Sequence, residues 1–331
     1  MQLDIVIVYA LALLVAFATT WLLTPVVAKK MLSIGKIGFD IHKSSKPPIP
    51  EMCGIAIMAG TIVSVALAIF LAPSHVTEYS TFLFSLAIAG AIGIADDFKP
   101  LSPRLKPALT ALAAVPILLL GTYSPRPELP FIGPVRLTLI YPLLIFLAVA
   151  IPSNAVNMLD VFNGAMPSTC SVISIATIIF LVLSGRMEEA VLPLALLGSL
   201  LAFYRYNRYP AKVFSGDAGS LFTGAAIGCI AVLGRIEVAT VVAMMPHIMN
   251  AFYGLFSVGR LYEHREIKTR PIMLRHDGSL EATDSKSAPV TLTRLILAQG
   301  PLSEMNIVDS MILLTMFSSA LAVLTQILIL W

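Results

Sequence analysis

Two adjacent aspartates, Asp96 and Asp97, end an apolar run over residues 80–95, and Lys106 opens the next apolar run. If the run is a helix, the pair lies at its negative C-terminal end, where an anion is disfavoured by roughly 0.3–1 kcal/mol. Two like charges ~4 Å apart at an effective dielectric of ~20 also repel by about 4 kcal/mol. A cation relieves both problems, and Lys106 or a bound divalent metal can supply it. The plainer alternative is a solvated helix end beside a loop.

Three further polar clusters interrupt apolar runs in the same way. Lys46-Pro-Pro-Ile-Pro-Glu51 stiffens the chain before a second span and leaves Glu51 at its lip. In Asn154-Ala-Val-Asn157-Met-Leu-Asp160-Val-Phe-Asn163-Gly164, residues 154, 157 and 160 are three apart and drift slowly around one helix face. Buried polar side chains need partners, so a hydrogen-bonded helix seam is the plain reading of that spacing. In Val213-Phe214-Ser-Gly-Asp217-Ala-Gly219, Asp217 is a natural N-cap, and Gly216 and Gly219 suit a helix N-terminus that faces an anion.

The elements that position these residues follow from composition. The chain has 331 residues, 57% hydrophobic and 12% charged, with a mean hydropathy of +0.88. Soluble domains carry about 25% charged residues, so the expected fold class is an all-α integral membrane protein. Apolar runs measured against a ~30 Å hydrocarbon core give ten transmembrane helices in a single polytopic domain over 1–331, near 3–27, 53–72, 80–95, 106–121, 138–157, 166–184, 189–204, 218–234, 237–259 and 310–330. The first run has no basic leader or small-residue cleavage site and is expected to be retained as a span. Of the 22 Lys and Arg, all but Arg126, Arg136, Arg186 and Arg235 fall in alternate loops. Those loops are therefore expected to be cytoplasmic, with both termini outside.

The ninth loop, about 260–309, is the only long one. A short hairpin turning at Asp277-Gly278 and an interfacial helix over 291–299, with Leu292, Leu295 and Ile296 on one side, are expected in it. Long loops in compact proteins are usually functional. Cys53, Cys170 and Cys229 lack any CxxC spacing and read as packing residues. A net charge of +3 gives no reason to expect nucleic acid.

Carboxylates, amides and strong cations thus gather on one membrane face. An oxygen-rich cluster without His or Cys suits Mg²⁺, or Mn²⁺, rather than zinc. Lys and Arg beside a hard cation suit a pyrophosphate ester, Lys106 as a point charge and an arginine of the ninth loop as a planar clamp. In-line attack at a metal-bridged phosphoryl centre needs positioning and charge neutralisation more than covalent chemistry. From the residues alone, the reading is metal-assisted phosphotransfer at a membrane interface, with one lipid substrate.

Ala95-Asp-Asp-Phe98 with Lys106, Asn154-Ala-Val-Asn157 with Asn163-Gly164, and Val213-Phe-Ser-Gly-Asp217 with Gly219 resemble the signature motifs of the polyprenyl-phosphate N-acetylhexosamine-1-phosphate transferases. Lys46-Pro-Pro-Ile-Pro-Glu51 resembles the dolichyl-phosphate branch of that family, and the ten-span layout also fits it. The resemblance implies Mg²⁺ held by Asn157 and Asp217, and Lys106 on the pyrophosphate. It implies Phe214 stacked on uracil, Asn163 and Glu51 on the uridine, and Lys46 at the substrate. Asp96 and Asp97 would orient or deprotonate the lipid phosphate and support the metal shell. Asp160 matches an acidic position of the bacterial peptidoglycan-precursor branch.

The ninth loop departs from the family's Arg- and His-rich runs. It carries His264-Arg265, Lys268-Thr-Arg270-Pro271 and Arg275-His276. Arg270 is the best match for the sugar-pyrophosphate clamp, with His264, Arg265 and Lys268 beside it. The resemblance implies UDP-GlcNAc and a polyprenyl or dolichyl phosphate as substrates, polyprenyl-diphosphate-GlcNAc and UMP as products, membrane lipid as surroundings and inhibition by tunicamycin-type nucleosides. A homodimer is a possible assembly. The compact chain and its divergent ninth loop point to an archaeal-type plasma membrane, or to the endoplasmic reticulum in a eukaryote. The alternatives are another UDP-sugar donor such as UDP-GalNAc, a cell-wall precursor, or a transporter for a nucleotide sugar or other anion. Transporter sites lie near the midplane between related halves, whereas these clusters crowd one face.

Overall fold

A computed structural model describes residues 5–43, 46–259 and 269–331. The chain is built almost wholly of helices: α1 (Ile5–Ser33), α2 (Ile55–Leu71), α3 (Val76–Phe98), α4 (Leu105–Ala111), α5 (Val115–Leu120), α6 (Tyr141–Leu159), α7 (Ala165–Leu183), α8 (Val191–Asn207), α9 (Gly216–Leu233), α10 (Glu237–Ala243), α11 (Met245–Val258), α12 (Leu292–Ile296) and α13 (Glu304–Leu330). Among the described residues, seven helices are long and apolar enough to cross a membrane, and an eighth crossing results if α10 and α11, bent by 68°, form one span. The other apolar segments, α2 and the 105–120 stretch, fall below that length. Helices therefore occupy all ten expected positions, but the expected count of ten crossings exceeds the number that reaches full length. The protein is an all-α, multi-pass membrane protein.

At the centre is α9. Nearly nine-tenths of its apolar window is buried, against 22% for α1 and 28% for α13. Its sequence, GDAGSLFTGAAIGCIAVL, explains this. A Cβ at Gly224 or Gly228 would lie 2.3 or 2.2 Å from a backbone oxygen of α6, so only glycine lets the two backbones approach so closely. Helices in lipid associate through such close backbone contact because apolar burial drives nothing there. α9 packs chiefly on α6 and α3, and α1 packs on α8 and α2. Cys53, Cys170 and Cys229 are free and buried, as their apolar surroundings suggest.

Among the described residues, three short antiparallel strand pairs connect helices. β1 (Ile37–Phe39) pairs with β2 (Pro48–Pro50), β3 (Glu128–Leu129) with β4 (Gly133–Pro134), and β5 (Ile272–Leu274) with β6 (Leu280–Ala282). The last pair is the hairpin expected in the ninth loop. Gly278 adopts φ +81°, and Asp277 Oδ1 accepts the Ser279 amide, so the Asp-Gly turn closes as its chemistry requires. α12 falls within the segment expected to be helical, 291–299. Leu292 and the following Leu297 pack into a cluster with Ile307, Val308 and Met311 of α13, while Leu295 is exposed. The helix expected in the ninth loop is thus present, and one side of it docks on α13.

Candidate active site

A cavity of about 1400 Å³ opens where α3, α4, α6 and α9 end and the first and ninth loops meet them. It is lined by Glu51, Asp96, Asp97, Lys106, Asn157, Asp160, Asn163, Phe214, Asp217 and Arg270, among others. Lys46 does not line it and its side chain is exposed. The extended strand β2 carries that end of the motif outward, so the substrate role expected for Lys46 finds no support in its position. His264, Arg265 and Lys268 lie outside the described residues.

The aspartate pair divides its work. Asp97 Oδ1 accepts the Asp217 amide at 2.8 Å, and Oδ2 accepts the Ala218 amide at 2.9 Å. Its carboxylate therefore sits on the positive N-terminus of α9, which offsets its unfavourable place at the end of α3. Gly216 makes this possible. It adopts φ +68°, and a Cβ there would come within 2.7 Å of Asp97 Oδ2. Asp96 turns to the other side, accepting the Leu101 amide at 2.6 Å and forming a close ion pair with Lys106.

Lys106 stands between two acids, paired with Asp96 and 3.2 Å from Asp217 Oδ1. The Asp96 side chain is only 1% exposed, whereas Asp217 is 27% exposed and is the acid a ligand can reach. Asn157 Nδ2 donates to Asp217 Oδ1 at 2.5 Å and to Ser220 Oγ at 2.8 Å. The two residues expected to share an ion are thus in direct contact, on one side of the protein.

The three polar residues of α6 and its C-cap diverge to three partners. Asn154 donates to Thr110 of α4 at 2.9 Å, which is the plain helix seam. Asn157 turns to α9, and Asp160 accepts the Ser215 hydroxyl. Burial pushes the Asp160 carboxyl up to about 7 against that hydrogen bond, and the Asp217 charge adds to the rise.

The residues present fit Mg²⁺. Asp96, Asp97, Asp160 and Asp217 line the cavity together with Lys106, an acid-rich set that suits a hard cation. Among the described residues no three His, Cys, Asp or Glu side chains form a ready-made cage. A hard ion here would complete its shell with an amide, water and substrate phosphate, as Mg²⁺ commonly does.

The opposite wall is made of turns. Phe214 N–H donates to Pro50 at 2.9 Å, and the Cys53 amide donates to Phe214 at 2.9 Å, fixing the 213–215 turn against β2. A Cβ at Gly38 would meet Glu51 Oε1 at 2.9 Å and Phe214 Cδ2 at 3.0 Å, so β1 presses on both side chains. Asn207 locks the wall, accepting the Gly164 amide at 3.1 Å and donating to Val213 at 2.8 Å. Asn163 donates from Nδ2 to Asp40 at 2.9 Å. Asn250, also lining the cavity, accepts the Leu292 amide at 2.9 Å and ties α11 to the ninth loop.

Asp40, Asn207, Ser215, Ser220, Asn250 and Glu304 escape sequence reasoning. Ser215 and Ser220 flank Asp217 and Asn207 lies between Arg205 and Arg208, but nothing in their types marks a role, and Asp40, Asn250 and Glu304 carry no signal beyond a polar side chain near an apolar run. His42 lies here too, stacked on Phe162 at 4.6 Å. Burial pushes it down to about 4; Asp40 opposes that shift, while Arg270 and Lys43 add to it.

The fold and this arrangement define a class: a polytopic membrane protein with an acid-rich cavity at the ends of its helices. Comparison with known proteins narrows it. The family profile of "Glycosyl transferase family 4" matches residues 79–235. A protein of Methanocaldococcus jannaschii named as a glycosyltransferase is 30% identical over 94% of each chain. A relative from Saccharolobus solfataricus is 31% identical over 76% of this chain and 83% of its own. It bears the name of a UDP-N-acetylglucosamine–dolichyl-phosphate N-acetylglucosaminephosphotransferase. A third, from Bacillus subtilis, is 29% identical over 79% of this chain and 73% of its own, and is named as an undecaprenyl-phosphate N-acetylglucosaminyl 1-phosphate transferase. The chain belongs to glycosyl transferase family 4. It is an enzyme, which bears out the resemblance carried by its motifs and sets the transporter reading aside.

Proposed function

We propose that the enzyme transfers GlcNAc-1-phosphate from UDP-GlcNAc to a polyprenyl phosphate of the dolichyl type, releasing UMP and leaving polyprenyl-diphosphate-GlcNAc. The observation that carries this reading is Lys106. Its ammonium is held between Asp96 and Asp217, where a polar cavity meets an apolar arm along Ala111, Phe146, Leu147 and Ile151. Leu147 and Ile151 are exposed and line the same cavity, so its apolar arm offers a lipid chain a place beside the Lys106 ammonium.

In this reading an oxygen of the lipid phosphate attacks the sugar-bearing phosphorus of the donor. A new P–O bond forms to the lipid, the bond to the bridging oxygen breaks, and UMP leaves with that electron pair. Lys106 neutralises charge on the pyrophosphate, where a positioned cation is worth most because water is scarce. Asp97 acts through α9: by holding two amides of its first turn, it fixes where Asp217 points. Asp96 keeps Lys106 in place. Phe214 offers a flat apolar face to the base, and Arg270 a planar fork to the phosphates or sugar. Mg²⁺, held by Asp217 and Asn157, would screen the charge of both phosphates.

The distribution of basic residues supports a cytoplasmic site with both termini outside, and in this reading the enzyme works in an archaeal-type plasma membrane, at the first membrane step of N-linked or related glycan assembly. The test is UMP release by purified protein given UDP-GlcNAc, polyprenyl phosphate and Mg²⁺. Chelation, Asp217→Ala and Asp97→Asn are each expected to abolish it, and full activity in both variants rules out this centre. Competition among UDP-GlcNAc, UDP-GalNAc and UDP-glucose decides the donor, and titration with a tunicamycin-type nucleoside is expected to inhibit.

A further inference from the structure

Asn163 is held from both ends by residues distant in the chain. Its amide N–H donates to Glu304 Oε1 at 3.0 Å, at the start of α13, and its side-chain Nδ2 donates to Asp40 Oδ2 at 2.9 Å, in the first loop. Asp40, Asn163 and Glu304 are all buried, and Asp40 and Asn163 line the wall of the cavity that carries Phe214. Lys43 Nζ lies 2.6 Å from the same Asp40 oxygen. Burial pushes the Asp40 carboxyl up, but hydrogen bonds from Lys43 and Asn163 outweigh it and hold the group below its ordinary value.

An ionised carboxylate only accepts hydrogen bonds. The two ends of an Asn amide have nearly the same shape, so packing alone cannot orient it; the bonding partners must. An anion at Asp40 therefore admits one orientation, with the NH₂ toward Asp40 and the carbonyl Oδ1 left for something else. Among the described residues no group donates to Asn163 Oδ1.

We propose that Asp40 is a positioning residue that turns the Asn163 amide so that its carbonyl faces the ligand, and that this makes the site select a base with a ring N–H over one with an acceptor there. The inference rests on the nucleotide-sugar reading above, in which the base lies on this wall beside Phe214. Uracil presents an N3–H donor next to a carbonyl. Cytosine presents an N3 acceptor next to an amino donor, the reverse pattern. Against a fixed carbonyl, cytosine places acceptor on acceptor, and one such mismatch is worth on the order of 10–100-fold in binding.

The test measures equilibrium binding of UMP, CMP and 3-methyl-UMP to the purified full-length protein, wild type and Asp40→Asn. An asparagine at position 40 can meet Asn163 with either its carbonyl or its NH₂, so both orientations become available. Wild type is expected to prefer UMP over CMP and over 3-methyl-UMP by on the order of 10-fold or more. In Asp40→Asn the UMP-to-CMP preference is expected to shrink to within about 3-fold, largely through a gain for CMP, which a general loosening of the wall does not produce.

An unchanged preference in a folded Asp40→Asn protein overturns the proposal. So does a wild type that binds CMP or 3-methyl-UMP as tightly as UMP, a result that stands even if the variant does not fold. A wild type that binds none of the three nucleotides overturns the nucleotide-sugar reading itself, and this inference with it.

Discussion

The two walls of the cavity are built by different means. The Lys106 wall is made of helix ends, with α3, α4, α6 and α9 each delivering a charged or amide group from a rigid terminus. The Asn163 wall is made of turns and two-stranded pieces, tied by Asn207, Asp40, Glu304 and main-chain hydrogen bonds. Charge has to be fixed in place to stabilise a phosphoryl transition state, and a helix terminus supplies both rigidity and a dipole. Recognition of a flat heterocycle needs shape and a donor–acceptor pattern, which turns supply by exposing amides. The charged wall is accordingly expected to govern turnover and the amide wall to govern substrate affinity.

Substitutions can break that division. Lys106→Met removes the cation between two acids and is expected to lower kcat by on the order of 10²–10³-fold in single-turnover assays, with donor binding changed far less. If KM rises instead while kcat holds, the charged wall is only a binding surface. Next, Phe214→Ala is expected to raise KM for the donor by about 10–100-fold with kcat nearly intact; a loss confined to kcat reverses the assignment of the two walls. Gly216→Ala forces a side chain into a left-handed conformation and against Asp97. It is expected to cost roughly 1–3 kcal/mol, seen as a lower thermal unfolding temperature, together with lower kcat because Asp217 is displaced.

The smallest effect concerns His42, a base whose folded value lies near 4, below its ordinary 6.5. The folded chain holds it neutral, so its contribution to stability is present above pH 6.5 and is lost as pH falls toward 4. Wild type is expected to lose unfolding temperature across that window more steeply than His42→Gln, while the two converge above pH 7. Parallel curves would remove His42 from the account of this wall.

The two walls also differed in how much could be read in advance. The charged wall was legible because its residues come in short motifs. Asp96-Asp97, Asn157 and Asp217 each interrupt an apolar run, where an unpartnered polar group is costly and therefore informative. Even so, the division between Asp96 and Asp97 was invisible, since it depends on α9 beginning directly beside the end of α3. Lys46 stands apart from the cavity for a related reason: its neighbours Pro48 and Pro50 form a strand whose direction the motif does not specify. On the amide wall only Glu51, Asn163 and Phe214 stood out. Asp40, 123 residues from Asn163, and Glu304, 141 residues from it, sit in stretches with nothing to mark them.

What the sequence by itself determined is the solvent and the inventory. Its long apolar runs require helices in lipid, because no other open structure satisfies its backbone there, and its polar interruptions name most of the groups that meet at the cavity. What only the tertiary structure decided is who partners whom: Asp97 with the amides of α9, Lys106 with Asp96, Asn163 with Asp40. Each of those pairings is a short-range contact between segments far apart in the chain, and a hydrogen bond of about 3 Å leaves no trace in the spacing of residues along a single segment.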